Sequence, residues 1–509
     1  MKYIVIACAA AATLFGAAAG AQTDVTVATI HALAKPERPG LGELWQLIDS
    51  AERAMADAEY QHAADLFDTV LAATAFPALD SERRHYVLSS AANIASMHSD
   101  FERARALYTQ SSELAMAGSD DWMGRLNAAW FLGDLDDAVA SLGAIAHQWP
   151  EELAFVSEWA MDSLLLHARA QNTNTELAVL KALFDTGWQT DLGREPTRIW
   201  LRLIELLAED NAIESALSVS SRIRDPLAIV TLLSDRKFAP IVAAAPDWFN
   251  VEETMDAGII EARLAVEANP HLLAPSIDLA EALLRAGRQP EALLVLESHM
   301  ARSALKSVIG GTLEDAVAET VRALTVKALA LVALQRYDDA AAQLDLAANQ
   351  VLPKDRAGDF LAVAQLQVRL GLPDAALATL ERLAGLAQDA RADLVRFMAA
   401  RSHSDTDAQN AALAALIAGA GDAPAEAQRA LLLAGRIDAA ADLLIRRLND
   451  PLQRSNALLE LQRMHEQVWP ETAVDWRRRA AQLMSREDVR ASVAASGGIV
   501  ADYALYRWN

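Results

Sequence analysis

The sequence has one cysteine, few aromatic residues and a deficit of basic charge. Its 509 residues include 45 Lys and Arg against 69 Asp and Glu, so the formal net charge is −24. A nucleic-acid-binding protein needs clustered positive charge to neutralise phosphates. The acidic balance therefore argues against nucleic acid and against anionic lipid surfaces as partners. Cys8 is the only cysteine, which excludes a disulfide framework.

The first residues are typical of a secretory signal. Lys2 gives a short positive start, an apolar stretch follows, and Ala-Gly-Ala at residues 19–21 matches the small-residue cleavage pattern. We therefore expect residues 1–21 to be removed and the mature chain to begin at Gln22. Removal would also take away Cys8. This interpretation predicts a periplasmic or secreted protein. No later segment has about 18 uninterrupted apolar residues, so we expect no membrane insertion after cleavage.

Recognisable catalytic fingerprints are absent from the sequence. There is no phosphate-binding loop with Gly-Lys-Ser/Thr, no Gly-x-Ser-x-Gly nucleophile elbow and no His-Glu-x-x-His zinc motif. We therefore predict no catalytic residue, no metal site and no cofactor, and we expect a protein that is not an enzyme. An enzyme whose site no motif reveals stays open as an alternative.

A short helix–turn–helix element recurs along the chain after residue 41. It usually begins with Gly, Ser or Asn, has a bulky residue third, places acidic residues at the following helix start and ends on Ala. Its eight instances occupy residues 58–63, 99–104, 133–138, 211–216, 287–292, 335–340, 371–376 and 435–440. Neighbouring closing alanines lie 41, 34, 78, 76, 48, 36 and 64 residues apart. Amphipathic helix pairs cannot bury their apolar faces alone, so neighbouring pairs must stack.

This element resembles the tetratricopeptide repeat, a 34-residue helix pair found in stacked arrays. The family has a small residue at position 8, Ala at position 20 and a bulky residue at position 24. The unit that closes on Ala63 supplies Ala51 and Phe67 at the other two positions. The resemblance covers most of residues 41–465. It implies an all-α fold, an α-α superhelix of stacked antiparallel helix pairs.

The domain organisation follows from these repeats and from the breaks between them. We expect a signal peptide at 1–21, a linker at 22–40, N-terminal repeats at 41–225, middle repeats at 226–400, C-terminal helical repeats at 401–495 and a tail or cap at 496–509. The Asp-Pro pairs at 225–226 and 450–451 look like two copies of one helix-start device, because Pro suits the first helical position.

The resemblance also implies a place for partner binding. In the family, the first helix of each pair lines an inner groove at positions 2, 5, 9, 12 and 13. Asn at position 9 often hydrogen-bonds the backbone of an extended peptide, and aromatic or Met neighbours provide apolar anchors. Six tryptophans also lie between residues 122 and 200. Carried onto the second and third units, these positions predict a groove lined by Tyr86, Asn93, Met97, Met123, Asn127 and Trp130.

The resemblance implies a scaffold or adaptor that presents a concave surface to envelope proteins or peptides. The partner would be a protein or peptide, and the sequence leaves the oligomeric state unknown. Other interpretations stay open: the groove side chains could simply fill gaps between helix pairs. A closed cavity lined by tryptophans would favour a binder of a small molecule or glycan. A pocket with converging His and carboxylate groups would favour an enzyme.

Overall fold

A computed structural model describes residues 40–190, 193–308, 315–350, 357–383, 389–466, 469, 474–499 and 502–507. The predicted signal, its cleavage site and residues 22–39 of the predicted linker lie outside these described residues. The described chain is α-helical apart from one two-stranded sheet, which is the expected all-α class. It divides into two compact units, Met1–Asp191 (unit 1) and Leu192–Asn509 (unit 2). Among the described helices, none combines the length and apolarity needed to cross a membrane.

Unit 1 consists of consecutive helices that pack as antiparallel pairs. Two short 3₁₀ helices, Phe76–Ala78 and Pro150–Phe155, interrupt the series. The α-helices are α1 Leu41–Ala56, α2 Tyr60–Ala72, α3 Ser81–Met97, α4 Phe101–Ser112, α5 Ser119–Leu132, α6 Leu135–Gln148, α7 Glu158–Gln171 and α8 Thr173–Asp185.

Unit 2 continues the same construction over a longer stretch of chain. Its α-helices are α9 Thr197–Glu209, α10 Ile213–Ser220, α11 Pro226–Ser234, α12 Ala239–Ala244, α13 Val251–Ala268, α14 Ala274–Arg285, α15 Gln289–Val308, α16 Ala316–Ala333, α17 Tyr337–Ala348, α18 Ala357–Arg369, α19 Pro373–Glu381, α20 Ala390–Ser402, α21 Thr406–Ala418, α22 Pro424–Leu433, α23 Ile437–Asn449, α24 Pro451–Leu461, α25 Val474–Ser485 and α26 Glu487–Ser496. Two strands, β1 Met464–Glu466 and β2 Tyr503–Arg507, pair in parallel. Short 3₁₀ helices cover Arg236–Phe238 and Pro246–Trp248.

The predicted turns are the feature that defines the helix pairs. The first residue of all eight elements has a left-handed backbone, at φ between 55° and 80°: Ala58, Ser99, Gly133, Asn211, Gly287, Gln335, Gly371 and Gly435. The next amide donates to a carbonyl five residues earlier, as Asp100 N does to Ala95 O at 2.9 Å. This is the Schellman bond that satisfies the end of the preceding helix. The closing alanines at 63, 104, 138, 216, 292, 340, 376 and 440 are fully buried.

A ninth turn of the same kind joins α20 to α21. Ser404 has φ 59°, and Asp405 N donates to Ala400 O at 2.9 Å. The residue in the closing position here is Gln409 instead of Ala. That exchange hides the element from a search for closing alanines, although its backbone is the same.

Two helices that lie near opposite ends of unit 2 in the sequence contact each other. Helix α11 packs against α24, and Asp235 forms an antiparallel bridge with Gly497. Gly498 N donates to Ser234 O at 2.9 Å, and Arg236 Nη2 donates to Ala494 O at 2.6 Å. The segment after α26 therefore joins the end of unit 2 to the end of α11 and the turn that follows it.

The two Asp-Pro pairs begin these two contacting helices. Asp225 and Asp450 are the N-caps of α11 and α24, and each carboxylate accepts a hydrogen bond from the amide two residues later at 2.9 Å. Pro226 and Pro451 occupy the first helical positions, where a missing N–H has no cost. The repeated sequence device therefore marks two helix starts that pack together.

Candidate functional site

Helix α3 presents a narrow accessible stripe on a mostly buried helix. Between Val87 and Met97, only Ser89, Asn93, Ser96 and Met97 reach the surface. These are the positions that the repeat register predicts for a groove. Tyr86 precedes them on the same stripe and is half-buried, with its ring edge-on to Phe67 at a centroid distance of 6.3 Å. The spacing of four and three residues keeps the stripe on one side of the helix.

The carboxamide of Asn93 is already engaged within the protein. Its Oδ1 accepts a hydrogen bond from the Tyr108 hydroxyl at 2.9 Å, and its Nδ2 donates to Ser89 O at 3.0 Å. Tyr108 lies on α4, and its ring passes directly under Gly124 of α5. The pKa of Tyr108 is raised to about 12, chiefly by burial and also by the charges of Asp121 and Asp120, against a hydrogen bond with Ser96 that lowers it. Asn93 is therefore oriented by a buried phenol.

Helix α5 contributes the second stripe of the predicted groove. Asn127 and Trp130 are partly accessible and Phe131 is exposed, whereas Met123 keeps only 9% of its surface accessible. Met123 therefore packs beneath the stripe and supports it, and the other predicted residues of α5 reach solvent. Asp120, at the start of the helix, is exposed as well.

A partly buried hydrogen bond holds α3 and α5 side by side in the same direction. His85 in the first turns of α3 donates from Nε2 to Asp121 Oδ2 in the first turn of α5 at 2.6 Å. Gly118 N also donates to that oxygen at 3.0 Å. Burial raises the pKa of Asp121, but the bonds from His85 and Gly118 outweigh burial and hold the pKa below its usual value. The accessible stripes of the two helices therefore share one face, which we call the first-helix face.

Large apolar side chains gather at one end of this face. Phe131 stacks on Phe101 at a centroid distance of 4.5 Å, and Trp130 meets Trp159 of α7 edge-on at 5.0 Å. Trp159 is 70% exposed and Phe131 48% exposed. We call Met97 together with these four aromatic residues the apolar ledge. Exposed aromatic groups on a rigid helical frame are the usual anchors of a protein interface.

The tryptophans of this region do not act as one group. Trp188 is buried and its Nε1 donates to Leu153 O at 3.1 Å. Trp200, in unit 2, is fully buried and donates to Glu195 Oε2 at 2.7 Å. Each of these two rings belongs to the core of its own unit. In the portion of the chain that is described, no cluster of His, Cys, Asp and Glu has the arrangement of a metal site.

Two contributors to the site escaped the sequence interpretation. Tyr108 lies on the second helix of its pair, and only Gly124 on the next helix lets its ring reach Asn93. Trp159 falls in a stretch where the repeat pattern is degenerate, so the register gave it no position. The one sequence signal for it was the local excess of tryptophan.

The similarity of this chain to known proteins is one of structure. No protein-family model and no curated protein matches the sequence. Solved structures that resemble the chain include the following three. A tetratricopeptide repeat protein from Parabacteroides merdae is 10% identical, with 67% of this chain and 99% of that chain covered and a TM-score of 0.29. Yeast Tom70 is 12% identical, with 89% and 88% covered and a TM-score of 0.30. NprR in complex with its cognate peptide NprX is 11% identical, with 81% and 100% covered and a TM-score of 0.31.

These TM-scores are too low to establish the fold, which is established by the turns and packing of the chain itself. Among the described residues, nine left-handed turns of one geometry each join two helices of a pair. The fold is a tetratricopeptide-like helical repeat. In such a tetratricopeptide-like chain the first helices of successive pairs form a surface of their own, and in unit 1 that surface carries the apolar ledge.

Proposed function

We propose that this protein is an exported, non-catalytic binding protein that holds a protein or peptide partner on the first-helix face of unit 1. The observation that carries the proposal is the apolar ledge, whose aromatic side chains face solvent on rigid helices. Covering Trp159 and Phe131 would remove apolar surface from water at about 25 cal/mol per Å². The frame is already formed, so binding would incur little ordering cost.

Within this face the residues have different roles in the proposal. Met97, Trp130 and Trp159 would anchor the partner. Tyr86 and Asn127 would provide polar contacts. Asn93 would donate its one remaining amide hydrogen to the partner. Met123 would support the surface from below. These assignments add Trp159 to the groove that the repeat register predicts.

Photocrosslinking in intact cells tests the site. A benzoyl-phenylalanine placed at Asn127 should form an adduct with an envelope protein, whereas one at Gln110 on the exposed side of α4 should not. Trp130→Ala with Trp159→Ala should remove the Asn127 adduct while the helical circular dichroism is unchanged. Equal adducts from both positions, or an adduct that survives the double substitution, would contradict the site.

A second experiment tests the contribution of the predicted polar contacts. Replacing Asn93, Asn127 and Trp130 together by Ala should lower partner recovery in a pull-down without loss of helical structure. Recovery equal to that of the unmodified chain would count against the groove. The proposed export is checked separately, by cell fractionation and by finding Gln22 as the first residue of the mature protein.

A further inference from the structure

The negative charge of the chain is concentrated in unit 1. Residues 40–190 contain 23 Asp and Glu but only 8 Lys and Arg, whereas residues 193–509 contain 43 and 34. At least half of the eight basic side chains in residues 40–190 are used internally. Arg103, Arg105 and Arg125 pair with carboxylates of neighbouring helices, and Arg83 lies over the Trp45 ring at 3.1 Å. The field that unit 1 presents to an approaching partner is therefore strongly negative.

Exposed carboxylates lie on the first-helix face and beside it on α1. The pKa of the Tyr86 hydroxyl is raised chiefly by burial, and a hydrogen bond with Ser90 opposes this shift. The charge of nearby Glu52 of α1 raises the pKa as well. Asp120 acts on Tyr108 in the same way. Glu82 lies in the first turn of α3. Within the described residues, no Lys, Arg or His forms an ion pair with Glu52, Glu82 or Asp120.

The acidic and apolar groups are separated along the helices. Glu82 and Asp120 are in the first turns of α3 and α5, and Met97 and Phe131 are in the last turns. At 1.5 Å per residue, Asp120 and Phe131 are about 16 Å apart along the axis. An α-helix with its side chains is about 10–12 Å wide, and long basic side chains extend that reach. The face therefore has the width to receive a helix lying across α3 and α5.

We propose that the occupant of this face is a basic amphipathic helix of a partner protein. The proposal rests on the binding site proposed above and adds the chemistry of its ligand. The apolar side of the helix would cover the apolar ledge, and its Lys or Arg side chains would pair with Glu52, Glu82 and Asp120. This is helix-in-groove recognition, in which apolar residues three or four positions apart are the anchors.

The state of Asn93 favours a helix over an extended peptide. An extended peptide is held through its backbone and needs free side-chain amides along the groove. Asn93 already accepts from Tyr108 and donates to Ser89 O, so only one of its amide hydrogens is left for a peptide backbone. Recognition through side chains, with apolar anchors and opposite charges, does not depend on that amide.

The test uses three labelled 18-residue helical peptides and the full mature chain. The peptides share the same Leu positions and differ only on the polar side, which carries Lys, Gln or Glu. Fluorescence anisotropy should show the Lys peptide binding at least about tenfold more tightly than the Gln peptide, with no measurable binding of the Glu peptide. Raising the salt from 50 to 300 mM should weaken only the Lys peptide, because exposed charges are screened.

Matched variants locate the charge effect. Glu52→Gln, Glu82→Gln and Asp120→Asn together should weaken the Lys peptide about tenfold and leave the Gln peptide unchanged. Glu59→Gln, Glu102→Gln and Glu113→Gln remove the same charge from the side of α2 and α4 and should change neither. First-turn carboxylates also stabilise helices, so circular dichroism melting checks that each variant is folded.

The outcomes separate the two proposals. Equal affinity for all three peptides, lost on Trp130→Ala with Trp159→Ala, would overturn the charge preference and keep the site. Peptide binding that ignores the two tryptophans would overturn the site as well. A self-associated chain that becomes monomeric on Trp159→Ala would show that a second copy covers the ledge, which would also overturn the proposal.

Discussion

The Asp235 carboxylate accepts a hydrogen bond from the Ser455 hydroxyl at 2.7 Å, although 220 positions separate the two residues. Asp235 is almost fully buried, and its backbone bridges to Gly497. In an open stack of repeats, each pair contacts only its neighbours, and the terminal pairs can open first. Unit 2 ties α11 to α24 and to the segment after α26, so opening its last helices must break contacts made by α11 and the residues that follow it.

Gly497 is the residue at which this junction can be tested. A Cβ at Gly497 would lie far inside van der Waals distance of Ser234 O, whereas a Cβ at Gly498 would meet no atom within 4 Å. Gly497→Ala should therefore separate the tail from α11 and cost about 1–3 kcal/mol of the free energy of unfolding. Urea denaturation measures the loss, and hydrogen exchange should rise in both α11 and α26.

Gly498→Ala is the matched control for that substitution. It keeps the amide that donates to Ser234 O, so its stability should stay within about 0.5 kcal/mol of the unmodified chain. Equal stability of the two variants would show that the junction contributes nothing to unit 2.

The repeat architecture was predictable because its determinants are local. A turn residue, a helix start and a small buried residue all lie within six positions, and all eight predicted turns have the left-handed backbone. The ninth was missed because Gln409 replaces the closing Ala. The junction of Asp235 with Ser455 could not be predicted, since no local pattern encodes a pairing over 220 positions.

In the candidate site, too, local features could be predicted from the sequence and long-range packing could not. The accessible positions of α3 followed from the repeat register, because helical periodicity fixes which side chains share a face. The burial of Met123 and the contact of Trp130 with Trp159 depend on how α7 is placed after the 3₁₀ helix Pro150–Phe155. That placement is a matter of tertiary packing, which the register does not describe.

The turn at Gln335 offers a stabilising substitution. Gln335 is exposed and has φ 60°, a conformation that costs an L-residue about 1–2 kcal/mol and glycine almost nothing. After the greater freedom of glycine in the unfolded chain is counted, Gln335→Gly should raise the free energy of unfolding by about 0.5–1 kcal/mol. The urea midpoint measures the gain.

Two further variants are the controls for Gln335→Gly. Gln335→Ala keeps the cost of the left-handed backbone and should leave the midpoint nearly unchanged. Gly371→Ala, at the equivalent turn with φ 80° and open space around it, should lower stability by about 1 kcal/mol. A Gln335→Gly variant no more stable than Gln335→Ala would rule out backbone strain as the reason.

Gly124 controls the position of Tyr108 beneath the first-helix face. Ala normally stabilises a helix interior relative to Gly by about 1 kcal/mol, and Gly42→Ala, in the first turn of α1 where space is open, should show a smaller gain of the same sign. Gly124→Ala should instead lose about 1–3 kcal/mol, because its methyl group would occupy the Tyr108 ring position. Thermal or urea unfolding of unit 1 compares them. A gain at both positions would show that the Tyr108 ring moves without cost.

Tyr108 also gives unit 1 a specific sensitivity to alkali. Its pKa is raised to about 12, first by burial and then by Asp121 and Asp120, whereas a tyrosine in the unfolded chain ionises near pH 10. A raised pKa means that the folded state holds the proton longer. The protonated Tyr108 hydroxyl therefore contributes its full stabilisation below about pH 10, and this stabilisation is lost as the pH rises towards 12.

At pH 11.5 this linkage should lower the free energy of unfolding of unit 1 by about 2 kcal/mol relative to pH 9. Tyr108→Phe removes the proton and the bond to Asn93, so it should be about 1 kcal/mol less stable at pH 9 but lose less on going to pH 11.5. Tyr503→Phe is the control, because Tyr503 also has a pKa of about 12 through burial but belongs to unit 2. Urea unfolding at both pH values measures each difference. If Tyr108→Phe and the unmodified chain lose equal stability in unit 1 over this range, another group must account for the alkaline loss.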